Sequence, residues 1–417
     1  MISVLGLVLI ILLACQIVSC AFFPRKNNVC NKIPDYATLF INDKNCWYNP
    51  DVRSSMEEIL KRNGYRAEKH KVTTEDGYIL TMFRIPATFP ADPVSQGRPI
   101  LIQHGIGGTG VFWILQGQNS LAFFLSRNGY DVWLSTTRGG TYSNRHERLT
   151  TADPEYWNYS FHEHGIYDLP AMTTYISKIT GRKGDITYIG HSMGTTMSYI
   201  YSILRKKHAE EHLNGIISFA PVAYTRNVKG LYRFLSPFAD TLVHLLNGIG
   251  IYAIGDLPIY SKIISTLCGT YPSVIFCELS VALTSGLSVE EERPDLLPVF
   301  GSYFPAGTSL KLIQHFSQCI NAGYLQFYDY GDQNIVKYNA TKPPIYDLNA
   351  ISVPVHLFVG QKDFIGNVED SETLFRQLKS NRVPTSMSFY NYAHNDFFLG
   401  RNFENLYSQL LKTIRML

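Results

Sequence analysis

The sequence predicts an α/β fold: a mostly parallel central sheet covered by helices, with a helical insertion between two of its strands. Three observations predict it. Short runs rich in β-branched and aromatic residues recur along most of the chain, and most are continuously apolar rather than alternating, as strands buried on both faces should be. Helix-period segments separate several of these runs. The alternation then stops from about residue 222 to 347, where an aromatic, proline-punctuated stretch shows helical patches and no sheet-like run.

In chain order the strand runs are residues 78–84 (YILTMFR), 99–103 (PILIQ), 130–135 (YDVWLS), 185–189 (DITYI), 215–220 (GIISFA), 355–359 (VHLFV) and 385–390 (TSMSFY). Helical patterns cover 118–127, 165–179, 193–207 and 369–378. The insertion reads as a cap over a site on the sheet; the alternative is a second globular unit with no part in the chemistry. The expected organisation is a signal peptide at 1–20, a first core part at 21–222, a cap at 223–347 and a second core part at 348–417.

Residues 2–14 are almost wholly apolar, and Val18, Ser19 and Cys20 form a small-residue cleavage site before Ala21. The run is shorter than the roughly 20 residues a membrane span needs, so it reads as a secretory signal rather than an anchor. The expected location is outside the cell, with the lysosomal lumen as the alternative. At 45% apolar and 17% charged residues, the 417-residue chain can bury a large core. Net charge is only +3 and the longest basic block is the RKKH of residues 205–208, so no nucleic-acid groove is indicated.

Of seven cysteines, Cys15 and Cys20 fall in the leader. The simplest pairing of the rest joins Cys30 to Cys46 and Cys268 to Cys277, with Cys319 left over. No C-x-x-C pair or histidine cluster has zinc-ligand spacing, so neither metal nor cofactor is expected. Asn158-Tyr-Ser and Asn339-Ala-Thr are glycan acceptor triplets in a secreted chain.

The chemistry centres on YIGHSMGTT at residues 188–196, a G-x-S-x-G placed between a buried-type strand and a helix pattern. That context suits a nucleophile elbow, in which Gly190 and Gly194 remove side chains that would clash around a strained Ser192. A serine hydroxyl needs a base, and the base needs a carboxylate. His394 follows the last strand run in a loop, whereas His208 and His212 lie in a charged helical stretch, His244 and His315 in the insertion, and His356 within a strand. Asp363 leaves the end of the preceding strand in VPVHLFVGQKDFIG, with Asp396 as runner-up acid. Glu369 and Asp370 open the next helix, where acidic charge is favourable. The backbone N–H groups of Met193 and of Ile106, in LIQHGIGGTG, are the candidate oxyanion donors.

With these blocks in place the chain resembles the acid lipase family of α/β-hydrolases, which comprises the gastric, lingual and lysosomal acid lipases and their insect relatives. The resemblance runs from about Asn63 to the C-terminus. GYRAEKHKVTTEDGYILTMFRIP is similar to the family's opening strand pair, LIQHGIGG to its oxyanion loop, and TTRGGTYSNRHERL with EYW and YDLPA to its central block. FPAGTS, YDYGDQN and PPIYDL follow in order, and YAHNDF carries the histidine. The resemblance implies Ser192, Asp363 and His394 as triad, Ile106 and Met193 as oxyanion donors, and Cys268–Cys277 as the lid-region disulfide. Two departures stand out: Met193 replaces the family's usual glutamine, and His162 and His164 stand in FHEHGIYDLPA as substitutions expected at the surface.

The resemblance therefore implies a secreted serine ester hydrolase that cleaves acylglycerols, and sterol esters as a further class, through an acyl-enzyme. The cap is expected to cover an apolar acyl pocket and to open at a lipid–water interface. The alternatives are a soluble carboxylesterase on small esters and a non-catalytic lipid-binding protein on a lipase scaffold.

Overall fold

Each of the seven apolar runs forms a strand, and two further strands join them. The structure, a computed structural model, describes residues 27–39, 44–88, 97–255 and 258–417. The leader expected at 1–20, with Cys15 and Cys20, lies outside the described residues. The main sheet has nine strands: β1 (Glu68–Thr73), β2 (Tyr78–Ile85), β3 (Pro99–Gln103), β4 (Asp131–Thr136), β5 (Ile186–His191), β6 (Leu213–Phe219), β7 (Val355–Gly360), β8 (Thr385–Tyr390) and a two-residue strand, Arg145–His146, that pairs only with β2. Their spatial order is β8-β7-β6-β5-β3-β4-β2-β1, parallel from β8 to β4 and antiparallel at β2 and β1. This is the α/β-hydrolase fold. β1 escapes periodicity because it is a polar edge strand (EKHKVT) with little buried apolar surface to mark it.

The alternation of side chains across the sheet sets up two cores. Leu101, Tyr188, Ile216 and Leu357 face one side, and Ile100, Ile102, Ile189, Ile217 and Phe358 the other. The helices of ten residues or more are α1 (Leu169–Thr180), α2 (Met193–Leu204), α3 (Ala239–Gly248), α4 (Pro258–Cys268), α5 (Ser273–Ser285), α6 (Leu310–Ala322), α7 (Val368–Ser380) and α8 (Glu404–Met416). Helices α3 to α6 all fall between β6 and β7 in the chain. No single helix among the described residues is long and apolar enough to cross a membrane.

Two helices depart from their sequence patterns for visible reasons. The segment expected to start at 165 opens with a π-type turn, His164–Asp168, before α1. Pro170 has no N–H to give to the preceding turn, which widens the hydrogen-bond spacing there. The pattern over 193–207 breaks at Arg205, whose side chain turns back to donate from Nε to the Ile166 carbonyl at 3.0 Å.

Disulfides join Cys30 to Cys46 and Cys268 to Cys277, and Cys319 is free and buried. The first bridge, with Tyr36 and Leu39, packs against Cys268, Val274 and Leu297, so the N-terminal segment docks on the insertion. The Tyr36 hydroxyl donates to the Pro294 carbonyl at 2.8 Å.

Candidate active site

Parallel strands place all their carboxyl ends on one edge, where ligands bind in open α/β sheets. The register aligns Gln103 with Gly190, and His191 with Phe219. The loops that follow β3, β5, β7 and β8 therefore leave from one rim, and they carry Ile106, Ser192, Asp363 and His394.

Ser192 sits between β5 and α2 with φ 54° and ψ −120°, a conformation that an L-residue holds only under constraint. Its N–H donates to the Phe219 carbonyl at 3.1 Å, and its carbonyl accepts from both the backbone N–H and the hydroxyl of Thr195, at 2.8 and 2.7 Å. A Cβ on Gly190 would lie 2.7 Å from the Gly194 carbonyl carbon, and one on Gly194 would lie 2.8 Å from the Gln103 carbonyl oxygen. Only glycine lets strand and helix approach this closely, which is the physical content of the G-x-S-x-G pattern.

His394 and Asp363 are both buried, and Nδ1 of His394 lies 3.0 and 2.9 Å from the two carboxylate oxygens of Asp363. The carboxylate is itself fixed, because Oδ1 accepts from the N–H groups of Ile365 at 2.7 Å and Gly366 at 2.9 Å. A proton on Nδ1 is thereby committed to Asp363, and Nε2 is the nitrogen left to exchange one. The runner-up acid, Asp396, is turned away: it accepts the Ala393 N–H at 2.7 Å, and burial, with Glu291 nearby, pushes its carboxyl up to about 7.

Sequence reasoning passed over His191, which precedes Ser192. Its Nε2–H donates to the carbonyl of His394 at 2.8 Å, tying the elbow to the loop after β8. Burial, with His394 close by, pushes its pKa well below the ordinary histidine value, so it serves as a neutral strut. His104 is a second one. Its Nδ1–H donates to the Gly105 carbonyl at 2.7 Å, Nε2 accepts from Thr137 N–H at 3.2 Å, and burial lowers its pKa to about 4. That bond pins the loop whose next residue is Ile106. The N–H groups of Ile106 and Met193 make no hydrogen bond among the described residues. The Met193 side chain is buried in the core with Met197 and Trp133, so only its backbone can serve the rim.

Ser192, His394, Gly105 and Ile106 line one cavity of about 660 Å³. Its other walls are mostly apolar and come largely from the insertion, including Ile264 and Leu267 of α4, Phe276 of α5, and Phe300 and Phe304. Cavities of roughly 300–1,000 Å³ hold small-molecule ligands. No cluster of metal-ligating side chains occurs among the described residues.

The surface expected at 162–164 is not there. His164 is fully buried, 3.6 Å from Asp168 Oδ2, and neither of its ring nitrogens has a hydrogen-bond partner among the described residues. Asp168 faces inward to pair with the buried guanidinium of Arg138, which also bonds Asp76, and this pulls the π-turn bearing His164 into the core. His162 is half-buried and shares a 2.6 Å hydrogen bond with the Tyr346 hydroxyl. Burial, with the cation of Arg138 and His104 nearby, holds the His164 pKa well below 6.5. The folded state therefore refuses a proton that the unfolded chain accepts, and stability is lost as pH falls below about 6.5. Replacing His164 by methionine is expected to stabilise the fold by about 1–3 kcal/mol, the cost of an unpaired buried polar group. The gain in urea midpoint should be larger at pH 5 than at pH 8; equal gains would remove the titration from the account.

Residues 56–117 match the family described as a partial alpha/beta-hydrolase lipase region, and residues 98–242 match the alpha/beta hydrolase fold. Lipase member K of Mus musculus is 32% identical over 372 residues, covering 88% of this chain and 92% of its own length. Gastric triacylglycerol lipase of Homo sapiens is 32% identical over 354 residues, covering 84% and 87%. Lipase member N of Homo sapiens is 30% identical over 374 residues, covering 88% and 92%.

Proposed function

Because the chain belongs to the α/β-hydrolase lipase family of gastric triacylglycerol lipase and lipase member K, and is a carboxylic ester hydrolase, we propose that it cleaves lipid esters through a covalent acyl-enzyme on Ser192. The observation that carries this reading is the His394–Asp363 pair on the wall of an apolar cavity that Ser192 also lines. Nε2 of His394 takes the Ser192 hydroxyl proton as Oγ attacks the ester carbonyl. Asp363 keeps the imidazole in the required tautomer and stabilises the imidazolium. The tetrahedral oxyanion rests on the N–H groups of Ile106 and Met193, each such donor being worth roughly 10²–10³ in rate. His394 then protonates the leaving alcohol, and a water, deprotonated by the same nitrogen, releases the fatty acid from Ser192.

Acylglycerols are the proposed substrates, with sterol esters as a further class, since the insertion supplies a deep apolar wall for the acyl chain. Among the described residues, most of the large apolar side chains that stand exposed fall between Leu231 and Val289, among them Phe234, Phe238, Leu245 and Ile249. Exposed apolar side chains in this number suit adsorption to a lipid–water interface. The two disulfides and the exposed Asn158 and Asn339 support passage through the secretory route, to the outside of the cell or the lysosomal lumen.

A chain-length series tests the substrate class. Each methylene buried in the cavity contributes about 0.8 kcal/mol, so kcat/KM on soluble nitrophenyl esters should rise about fourfold per added CH₂ until the cavity is filled. A flat or falling series beyond the butyrate would mark a small-ester carboxylesterase, and no turnover on any ester would mark a lipid-binding scaffold.

A further inference from the structure

The cavity that Ser192 and His394 line is mostly apolar, so each polar group on its wall needs a partner or a use. Most of the hydroxyls there are committed to nearby backbone. Ser273 lies 2.8 Å from both the Leu267 and the Thr270 carbonyl, Ser280 donates to the Cys277 carbonyl at 2.7 Å, and Thr284 donates to the Ser280 carbonyl at 2.8 Å. Ser285 accepts from Nδ2 of Asn395 at 2.8 Å. Tyr232 lines the same cavity, yet its hydroxyl makes no hydrogen bond with any described residue. Burial pushes its pKa above the ordinary tyrosine value, so the hydroxyl stays a donor at neutral and acid pH.

Tyr232 is anchored from the side of the triad. The N–H of Lys229 donates to the carbonyl of Phe364, next to Asp363, at 2.8 Å. Gly230 then opens the short helix Gly230–Leu235 with φ +68°. A Cβ there would lie 2.4 Å from the Leu283 carbonyl oxygen and 2.8 Å from the Phe364 ring, so this start of the helix packs tightly on the Asp363 loop. Tyr232 follows two residues later, a reach of about 7 Å along the backbone. Ile365, of the same loop, shares the cavity wall with it. Leu231, Phe234 and Leu235 of the helix stand exposed, whereas Tyr232 turns to the cavity.

A substrate that fills the cavity shuts water out from this hydroxyl, and a polar group left unpaired in apolar surroundings weakens binding. The reacting ester does not supply the partner. Its carbonyl oxygen goes to the N–H groups of Ile106 and Met193, and its alkoxy oxygen to His394. Sterol esters and simple fatty esters have no other oxygen. An acylglycerol does, in the ester or hydroxyl groups on the neighbouring carbons of glycerol. We propose that Tyr232 is a specificity-determining residue: it donates a hydrogen bond to a second oxygen function on the glycerol backbone. The site then favours acylglycerols over esters whose only oxygens belong to the reacting group, sterol esters among them. This rests on the acyl-enzyme reading above and ranks the substrate classes named there.

Tyr232→Phe tests it on tributyrin, monobutyrin and hexyl butyrate, each kept below its solubility limit so that no interface forms. The ratio of kcat/KM on a glyceride to that on hexyl butyrate should fall about tenfold, the size of one hydrogen bond, with hexyl butyrate itself little changed. A fall on tributyrin identifies an ester carbonyl as the acceptor, and a fall on monobutyrin alone identifies a free hydroxyl. The urea midpoint should stay at the wild-type value, because the hydroxyl removed has no partner in the protein. A ratio that holds or rises for both glycerides, or a lowered midpoint, would overturn the proposal. If the wild type turns over none of the three esters and takes up no organophosphonate at Ser192, the acyl-enzyme reading fails and the proposal falls with it.

Discussion

Ser192→Ala is expected to lower kcat by about 10⁴–10⁶ on every ester the protein accepts, the range seen when a triad nucleophile is removed. The loss is chemical and leaves the fold intact. The Ser192 hydroxyl makes no hydrogen bond among the described residues; the elbow is held by the backbone bonds to Phe219 and Thr195, which alanine keeps. Alanine at φ 54° carries the same strain as serine, so far-UV circular dichroism and urea midpoint should stay near wild type. KM for a soluble ester should change little, because the cavity wall that binds the acyl chain is untouched. Residual activity above water should persist, from the N–H groups of Ile106 and Met193 and from the cavity. Covalent labelling by a serine-directed organophosphonate provides the decisive readout: one equivalent in the wild type and none in the variant. Equal labelling of the two would end the nucleophile assignment.

Asp363→Asn should cost about 10⁴ in kcat, for a reason visible in the hydrogen bonds. Two backbone donors, Ile365 N–H and Gly366 N–H, already point at Oδ1. An asparagine there would present its oxygen to those donors and its NH₂ to His394. Nδ1 of the imidazole would then have to accept, which moves the proton to Nε2, the atom that must be bare to deprotonate Ser192. The shape of the site survives while the base is lost, and the imidazolium loses the charge that stabilises it. Steady-state kinetics on a short-chain ester should therefore give a drop in kcat with little change in KM. An Asp396→Asn control should cost far less, because that carboxyl holds the Ala393 N–H rather than His394. A larger loss at Asp396 than at Asp363 would reverse the assignment of the acid.

The features legible in the sequence are local ones. A strand buried on both faces is apolar at nearly every position, so the inner strands announce themselves, whereas the solvated edge strand β1 has no such mark and the other edge strand, β8, is only partly buried. Gly190 is legible because its clash is with Gly194, four residues on, whereas Gly194 is required by the Gln103 carbonyl of a neighbouring strand. His394 and Asp363 are legible because each follows a strand run in chain order, and parallel strands send their following loops to a common rim. The disulfide pairs are near neighbours in sequence, at separations of 16 and 9 residues.

Other features of the site depend on partners far apart in the chain. His191 meets the His394 carbonyl across 203 residues, and Asn395 meets Ser285 across 110. Neither residue type at either position carries a local signal of that meeting. His164 is the sharper case: a histidine in a polar context (FHEHG) looks like surface, yet the buried Arg138–Asp168 pair draws its turn inward. Polarity marks exposure only when nothing elsewhere in the fold offers a polar group a buried partner, and the buried partner here is Arg138, 30 residues before Asp168.

The sequence by itself determined the order of strands and helices, the strained turn at Ser192, the candidate acid and base, and where the insertion interrupts the sheet. All of these follow from backbone sterics and from apolar periodicity over fewer than about 20 residues. The tertiary structure alone decided which side chains of the insertion wall the cavity, that the last carbonyl of α5 holds the N–H of His394, and that His164 is buried without a hydrogen-bond partner among the described residues. Those outcomes rest on which carbonyl, amide and ring come to share a few ångströms of buried space. That is a property of packing between distant segments, and it leaves no periodic trace in any one of them.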